Sequence, residues 1–227
     1  MKHFLSTILA ASFFMACNAG KEKTATENNK ATDSAKTNAV VSTDSNQQTI
    51  SLVDTTPVSA SRLIVPGKSI GLTSLGQKNS EATKHLGPAA KGEAAMGGKS
   101  LLTWYSKPVV HGTDTVINET EIYFTTRMEE ENESRVRHIR ITSSFFATAQ
   151  HIRTGSTQDS IQKYFPGIKK IASYTSPKTK KQVLIYDDVK GGIAFEIENG
   201  ICIGILVHQP DDLAYETYNS LFDVQYY

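Results

Sequence analysis

The run Ile193-Ala194-Phe195-Glu196-Ile197-Glu198-Asn199-Gly200-Ile201-Cys202-Ile203-Gly204-Ile205-Leu206-Val207-His208 carries the clearest structural signal in the chain. Asn199-Gly200 between two alternating apolar runs is the pattern of a tight β-hairpin, because both central residues of the favoured turn need positive φ. Upstream, Gln182-Val183-Leu184-Ile185-Tyr186 reads as a third strand, set off by Asp187-Asp188 and Gly191-Gly192. All three runs are short, β-branched or aromatic, and bounded by turn residues, so they predict an antiparallel meander. Further upstream, Thr154-Gly155 and a Ser/Thr/Gln/Asp cluster precede a short amphipathic helix. Phe165-Pro166-Gly167 stops that helix, since proline cannot continue it.

The same order occurs earlier. Leu75-Gly76-Gln77-Lys78-Asn79-Ser80-Glu81-Ala82-Thr83-Lys84-His85-Leu86-Gly87-Pro88 aligns Gly76 with Gly155, Ala82 with Ile161, Lys84 with Lys163 and Leu86 with Phe165. Strand-like runs follow at Leu101–Tyr105, Glu121–Thr125 and Val136–Thr142, with an acidic loop expected from Met128 to Ser134. The expected fold is therefore α+β: two helix-plus-three-stranded antiparallel meander repeats, at 62–144 and 145–227, with the helices packed on one face of the sheet. The second repeat carries a C-terminal extension.

This pattern resembles the small outer-membrane lipoproteins of the β-barrel assembly machine (the SmpA/OmlA or BamE group) and the tandem-repeat fold of the β-lactamase inhibitory protein. The resemblance implies helices over one face of an antiparallel sheet and a non-enzymatic, protein-binding role. The assembly lipoproteins have one such unit, whereas this chain has two.

The N-terminus supplies an address. Lys2 precedes an apolar run from Phe4 to Met15, too short for a spanning helix, which needs roughly 20 residues. Charge, apolar core and a small residue at the cut are the order of a secretory signal over 1–16. Ser12-Phe13-Phe14-Met15-Ala16-Cys17 resembles a lipobox, which implies cleavage before Cys17 and lipidation of that cysteine. Asn18, in place of an aspartate, implies delivery to the outer membrane of a Gram-negative cell, facing the periplasm or the exterior. Residues 17–61 hold no aromatic side chain and cannot bury enough apolar surface to offset their ordering entropy. They read as a tether with a reach on the order of 35 Å.

Composition narrows the chemistry. Across 227 residues, 24 Lys and Arg nearly balance 23 Asp and Glu, without the basic excess that nucleic-acid binding needs. Cys202 is the only cysteine besides Cys17, so no intrachain disulfide is expected. His85, His111, His138, His151 and His208 are scattered, with no metal-ligand spacing. Glu129-Glu130-Glu131 lacks the alternating ligands of a calcium loop. The glycines at 67, 71 and 76 miss the phosphate-loop spacings. Asp187-Asp188 suits a turn, and Asp211-Asp212 suits the N-terminus of a helix beginning near Leu213. No cofactor, metal or catalytic cluster is expected. The alternatives are a site assembled from His138, His208 and Glu196, or an inhibitor of a secreted enzyme.

Strand alternation assigns faces. Ile201, Ile203, Ile205, Val207, Ile193, Phe195, Ile197, Val183 and Ile185 are placed under the helices. Leu102, Trp104, Ile122, Phe124, Ile139 and Ile141 join them from the first half. The opposite face would carry Tyr105, Tyr123, His138, Arg140, Tyr186 and His208, with residue types enriched at binding hot spots. It is expected to be open, either as an ordinary solvated sheet face or as one that receives an envelope protein. The aromatic run Leu221–Tyr227 is expected to pack on the core.

Overall fold

The computed structural model describes residues 56–95, 97–126 and 133–227. The signal sequence, Cys17, most of the 17–61 segment and most of the 128–134 link lie outside these residues. The chain divides after Ile50, and the fold below is that of the unit Ser51–Tyr227.

A 3-10 turn (Ala60–Arg62) leads into three short strands, β1 (Leu63–Val65), β2 (Ser69–Ile70) and β3 (Thr73–Ser74). Helix α1 (Asn79–Leu86) is followed by β4 (Lys91–Ala95), β5 (Lys99–Tyr105), the hairpin β6 (Val109–His111) and β7 (Asp114–Val116), then β8 (Glu119–Thr125) and β9 (Arg135–Ile141). After β10 (Ala147–Thr148), helix α2 (Gln158–Tyr164) is followed by β11 (Lys169–Thr175), β12 (Gln182–Asp188), β13 (Ile193–Glu198) and β14 (Ile201–His208). Helix α3 (Tyr215–Leu221) and β15 (Gln225–Tyr226) close the order.

Strands take up 44% of these residues and helix 15%, so the chain is mostly β and not the α+β repeat pair expected from sequence. One antiparallel sheet of nine strands, ordered β15-β11-β12-β13-β14-β9-β8-β5-β4, replaces the two three-stranded meanders. Each of the first two helices is followed by four sheet strands. The two unforeseen ones have physical reasons to be inconspicuous. Strand β4 is Lys-Gly-Glu-Ala-Ala, low in β-propensity. Strand β11 is bulged between Lys170 and Ala172, which breaks its alternation.

The helix face holds the larger core. Phe124, Phe195, Ile122, Ile139, Ile141 and Ile205 are fully buried there, together with Ala82 of α1 and Ile161 of α2. Burying each large side chain contributes about 1.5–3 kcal/mol before entropy. Helix α2 starts at Thr157, whose hydroxyl oxygen accepts from the Ser160 amide at 3.3 Å, and α1 ends at Gly87 with φ 75°. Trp104 ties the two layers by donating its indole N–H to the Gly87 carbonyl at 3.0 Å.

Several expected face assignments are reversed. Ile185 pairs with Glu196 and Tyr186 with Phe195 across β12 and β13, so Val183 and Ile185 lie on the second face and Tyr186 on the helix face. The four-residue connection from Asp188 to Ile193 inverts the parity assumed from sequence. In β14 the pairing steps from Glu196–Gly204 to Ile197–Cys202. That bulge sends Cys202 into the helix-face core and Ile203 to the other side.

Candidate functional site

The second face is covered, not open. Helix α3 lies over it with Ala214, Thr217 and Tyr218 fully buried, forming a smaller core with Ala172, Tyr174, Val183, Ile185, Ala194 and Leu206. Beneath this cover the sheet carries ionisable residues rather than an all-apolar row.

Arg140 is the largest of them and is 3% exposed. Its Nε and Nη2 donate to the two carboxylate oxygens of Glu196 at 2.5 and 2.7 Å, a bidentate pair, and Nη1 donates to Glu121. Tyr174 adds its hydroxyl to Glu196 at 2.8 Å. Phe222, just after α3, stacks on Tyr174 at 3.8 Å and lies 5.2 Å from the guanidinium. Burial opposes the charge on Arg140, but Glu196 and Glu121 outweigh it and hold its pKa well above the ordinary value. Burial pushes Glu121 upward against the pull of Arg140. Gly204 makes this packing possible, because a Cβ there would lie 2.6 Å from a Glu196 carboxylate oxygen.

His138 and His208 are directly paired across β9 and β14, with ring centroids 6.1 Å apart. His138 contacts Thr217 Oγ1 through Nδ1 at 2.8 Å and Asp212 through Nε2 at 3.1 Å, and stacks on Tyr123. Arg137 holds the same Asp212 oxygen at 2.7 Å. Asp212 therefore does not cap α3 as expected; Ala214 occupies the cap position. Burial alone would raise Asp212, but the bonds from His138 and Arg137 bring it below the usual carboxylate range. His208 contacts the Gln209 carbonyl through Nδ1 at 2.8 Å and Asp187 through Nε2 at 2.9 Å. The sequence Thr217–His138–Asp212 has the order of a hydroxyl, imidazole and carboxylate relay, yet Thr217 is 0% exposed and offers no access to a substrate.

The expected binding set is thus divided. His138, Arg140, His208 and Tyr123 come together beneath α3. Tyr105 is exposed at 41%, and Lys91 sits over its ring. Tyr186 lies on the helix face, where its hydroxyl accepts from Gln158 at 3.1 Å. Cys202 is buried, donates to the Gly204 carbonyl at 3.3 Å, and is pushed up by burial away from thiolate chemistry. Among the described residues no group of three or more potential ligands is placed to hold a metal. Lipidation at Cys17 concerns a residue outside the described ones.

Sequence reasoning missed a cavity at the seam between β9 and β14. These strands pair only from Ile205–Ile141 onward. Beyond that point the free edge of β14 is met by the segment before α2, through Gly155 N–H to the Cys202 carbonyl at 2.7 Å and Cys202 N–H to the Ser156 carbonyl at 2.9 Å. The parting leaves a cavity of about 520 Å³. Its buried wall includes Arg140, Tyr174 and Cys202, and its exposed rim includes Val116, Ile117 and Lys178. Of the charges on that wall, Glu119 is held by Lys178 at 2.9 Å and lies 3.7 Å from Arg140, and Glu198 accepts from the Thr179 hydroxyl. The one sequence signal for it was Val116-Ile117, two apolar residues in an otherwise polar hairpin return. No protein-family model, no curated protein and no solved structure matches this chain.

Proposed function

We propose that this chain is a lipid-anchored cell-envelope lipoprotein, held to the outer membrane through Cys17, which acts as a non-catalytic binding module. Its binding site on this reading is the seam cavity, which takes an uncharged, largely apolar group presented by an envelope protein.

The observation that carries the reading is the division of labour between the two regions. Beneath α3 the polar atoms of His138, His208, Arg140 and Glu196 are engaged with one another and with their neighbours, out of reach of solvent. At the seam, apolar Val116, Ile117 and Phe222 and several hydroxyls surround a concave space in the size range of ligand pockets. Val116 and Ile117 are 40% and 45% exposed, so apolar surface at the rim is available for burial by a partner. The enzymatic alternative drew on His138, His208 and Glu196; in the fold His138 meets α3, Glu196 neutralises Arg140, and His208 is bonded to Asp187 and the Gln209 carbonyl.

A photo-cross-linking residue placed at Val116 in living cells tests the binding site. A discrete cross-linked species is expected from Val116, absent from a probe at Lys84 on the helix side, and lost when Ile203→Arg charges the cavity. Equal cross-linking from both positions would remove the seam cavity from consideration. Cys17→Ser tests the anchor: the chain should move from the membrane fraction to the soluble fraction. Retention in the membrane would contradict lipid anchoring.

A further inference from the structure

The two paired histidines are held in different protonation states by their partners. Both ring nitrogens of His208 face groups that only accept, the Gln209 carbonyl and the Asp187 carboxylate. Satisfying both requires an N–H on each nitrogen, so His208 is an imidazolium. His138 faces one acceptor, Asp212, and one hydroxyl, Thr217, which can donate. Its Nε2–H therefore goes to Asp212, and Nδ1 takes the Thr217 proton. His138 is neutral.

A second proton on this pair has no good place to go. It would have to sit on His138 Nδ1, so the Thr217 hydroxyl would turn from donor to acceptor inside a contact that is fully buried. The new charge would lie across from the charged His208, at 6.1 Å between ring centroids. The surrounding groups offer little compensation. Asp212 already holds Arg137 on the strand of His138. From α3, Glu216 is paired with Lys99 of β5 at 2.5 Å, and from β8 the nearest ring is Tyr123, whose pKa is raised chiefly by burial. From β12, Asp187 is engaged with His208.

We propose that α3 is a proton-operated latch: a proton taken up by His138, opposite the already protonated His208, lifts α3 from the second face. Hydrating the second charge requires the cover over His138 to open, and that cover is the middle of α3, which meets the ring at Thr217. Burial lowers the pKa of His138, whereas Asp187 and the Gln209 carbonyl raise that of His208 against burial. The latch is accordingly closed near neutral pH and opens in acid.

Release would move Phe222, which follows α3 and lines the seam cavity. Its effect on binding rests on the seam-cavity reading; the latch does not.

Hydrogen exchange of the full-length chain in detergent micelles, read by mass spectrometry and corrected for intrinsic rates, tests the latch without a ligand. Between pH 7.5 and 5.0, peptides over 213–224 are expected to lose protection at least tenfold while those over 193–207 keep theirs. His138→Gln, which cannot take the proton, is expected to abolish the acid response. In the wild type, the titration of the His138 Cε1–H signal followed by nuclear magnetic resonance should share its midpoint with the loss of protection. That measurement stands even where the variant does not fold. Unchanged protection, a response that persists in His138→Gln, a simultaneous loss over 193–207, or a midpoint unrelated to His138 would each overturn the latch. A latch that works while the Val116 cross-link is absent would separate this proposal from the seam-cavity reading.

Discussion

The helix face and the second face are made by the same strands, yet they hold their covers in different ways. On the helix face, α1 and α2 sit on isoleucines, phenylalanines and valines, and any well-shaped apolar replacement would serve nearly as well. On the second face, α3 sits on ionisable residues whose partners must each be in place. A buried ion pair adds little net stability, because desolvation offsets attraction, but removing one partner is costly. The first face is tolerant and the second is exacting.

Breaking Arg140 should show the largest effect. Arg140→Met leaves Glu121 and Glu196 buried without their counter-charge and is expected to cost about 3–5 kcal/mol in urea unfolding. Replacing all three by Met and Leu should recover most of that loss, which a simple packing defect would not allow. On the helix face, Ile161→Ala in α2 should cost about 2–5 kcal/mol by emptying a fully buried site, with no dependence on pH.

The pH profile sharpens the contrast. His138 has a lowered pKa in the folded state, so its contribution is complete above the free-histidine value of about 6.5 and is lost as pH falls through its folded value. His208 has a raised pKa, so its contribution is complete below about 6.5 and is lost as pH rises through its folded value. Stability measured by denaturation should peak near neutrality and decline on both sides. A profile that is flat across neutral pH would refute the opposed assignment.

Smaller effects probe the cover itself. The Tyr218 hydroxyl is fully buried and finds no hydrogen-bond partner, and an unsatisfied buried group costs about 1–3 kcal/mol. Tyr218→Phe is therefore expected to stabilise by about 1 kcal/mol, measured as a higher melting temperature. Lys99→Ala removes the ion pair between β5 and α3, whose partners are about two-fifths exposed, and should leave the melting temperature nearly unchanged, because solvent screens such a pair. A larger cost would mean that α3 is held at its rim and not by its buried contacts.

Much of this was written in local sequence. Asn199-Gly200 marks the β13–β14 turn, where both residues have positive φ, and the glycine-to-helix runs locate α1 and α2. Alternation gave the correct side for Ile139, Phe195 and Ile205, which lie on regular stretches of their strands, and for Phe124, because β8 keeps its alternation while the bulge beside it falls in β9. It failed at Val183, Ile185 and Tyr186, where loop parity decides, and at Cys202 and Ile203, where the bulge does. The alternation also says which residues share a face without saying what covers it. His138, Arg140, Glu196 and His208 looked like an exposed surface for that reason. One clue to their burial was present: opposite charges at Glu121, Arg140 and Glu196 in mid-strand, with Gly204 opposite Glu196, are the residues of a neutralised, close-packed cluster. The seam cavity depends on where two distant strands part, and no local pattern encodes that.

The position of α3 in the chain has a consequence for biosynthesis. All of the buried ionisable groups of the cluster lie on strands that leave the ribosome before α3 does. Until it arrives, Arg140 and the two histidines face water, and the sheet has one finished side. A nascent chain ending at His208 would hold eight of the nine strands and none of their polar cover. A chaperone that shields emerging segments has its longest task on this face, and a C-terminal fusion would encumber the last step of assembly more than an N-terminal one.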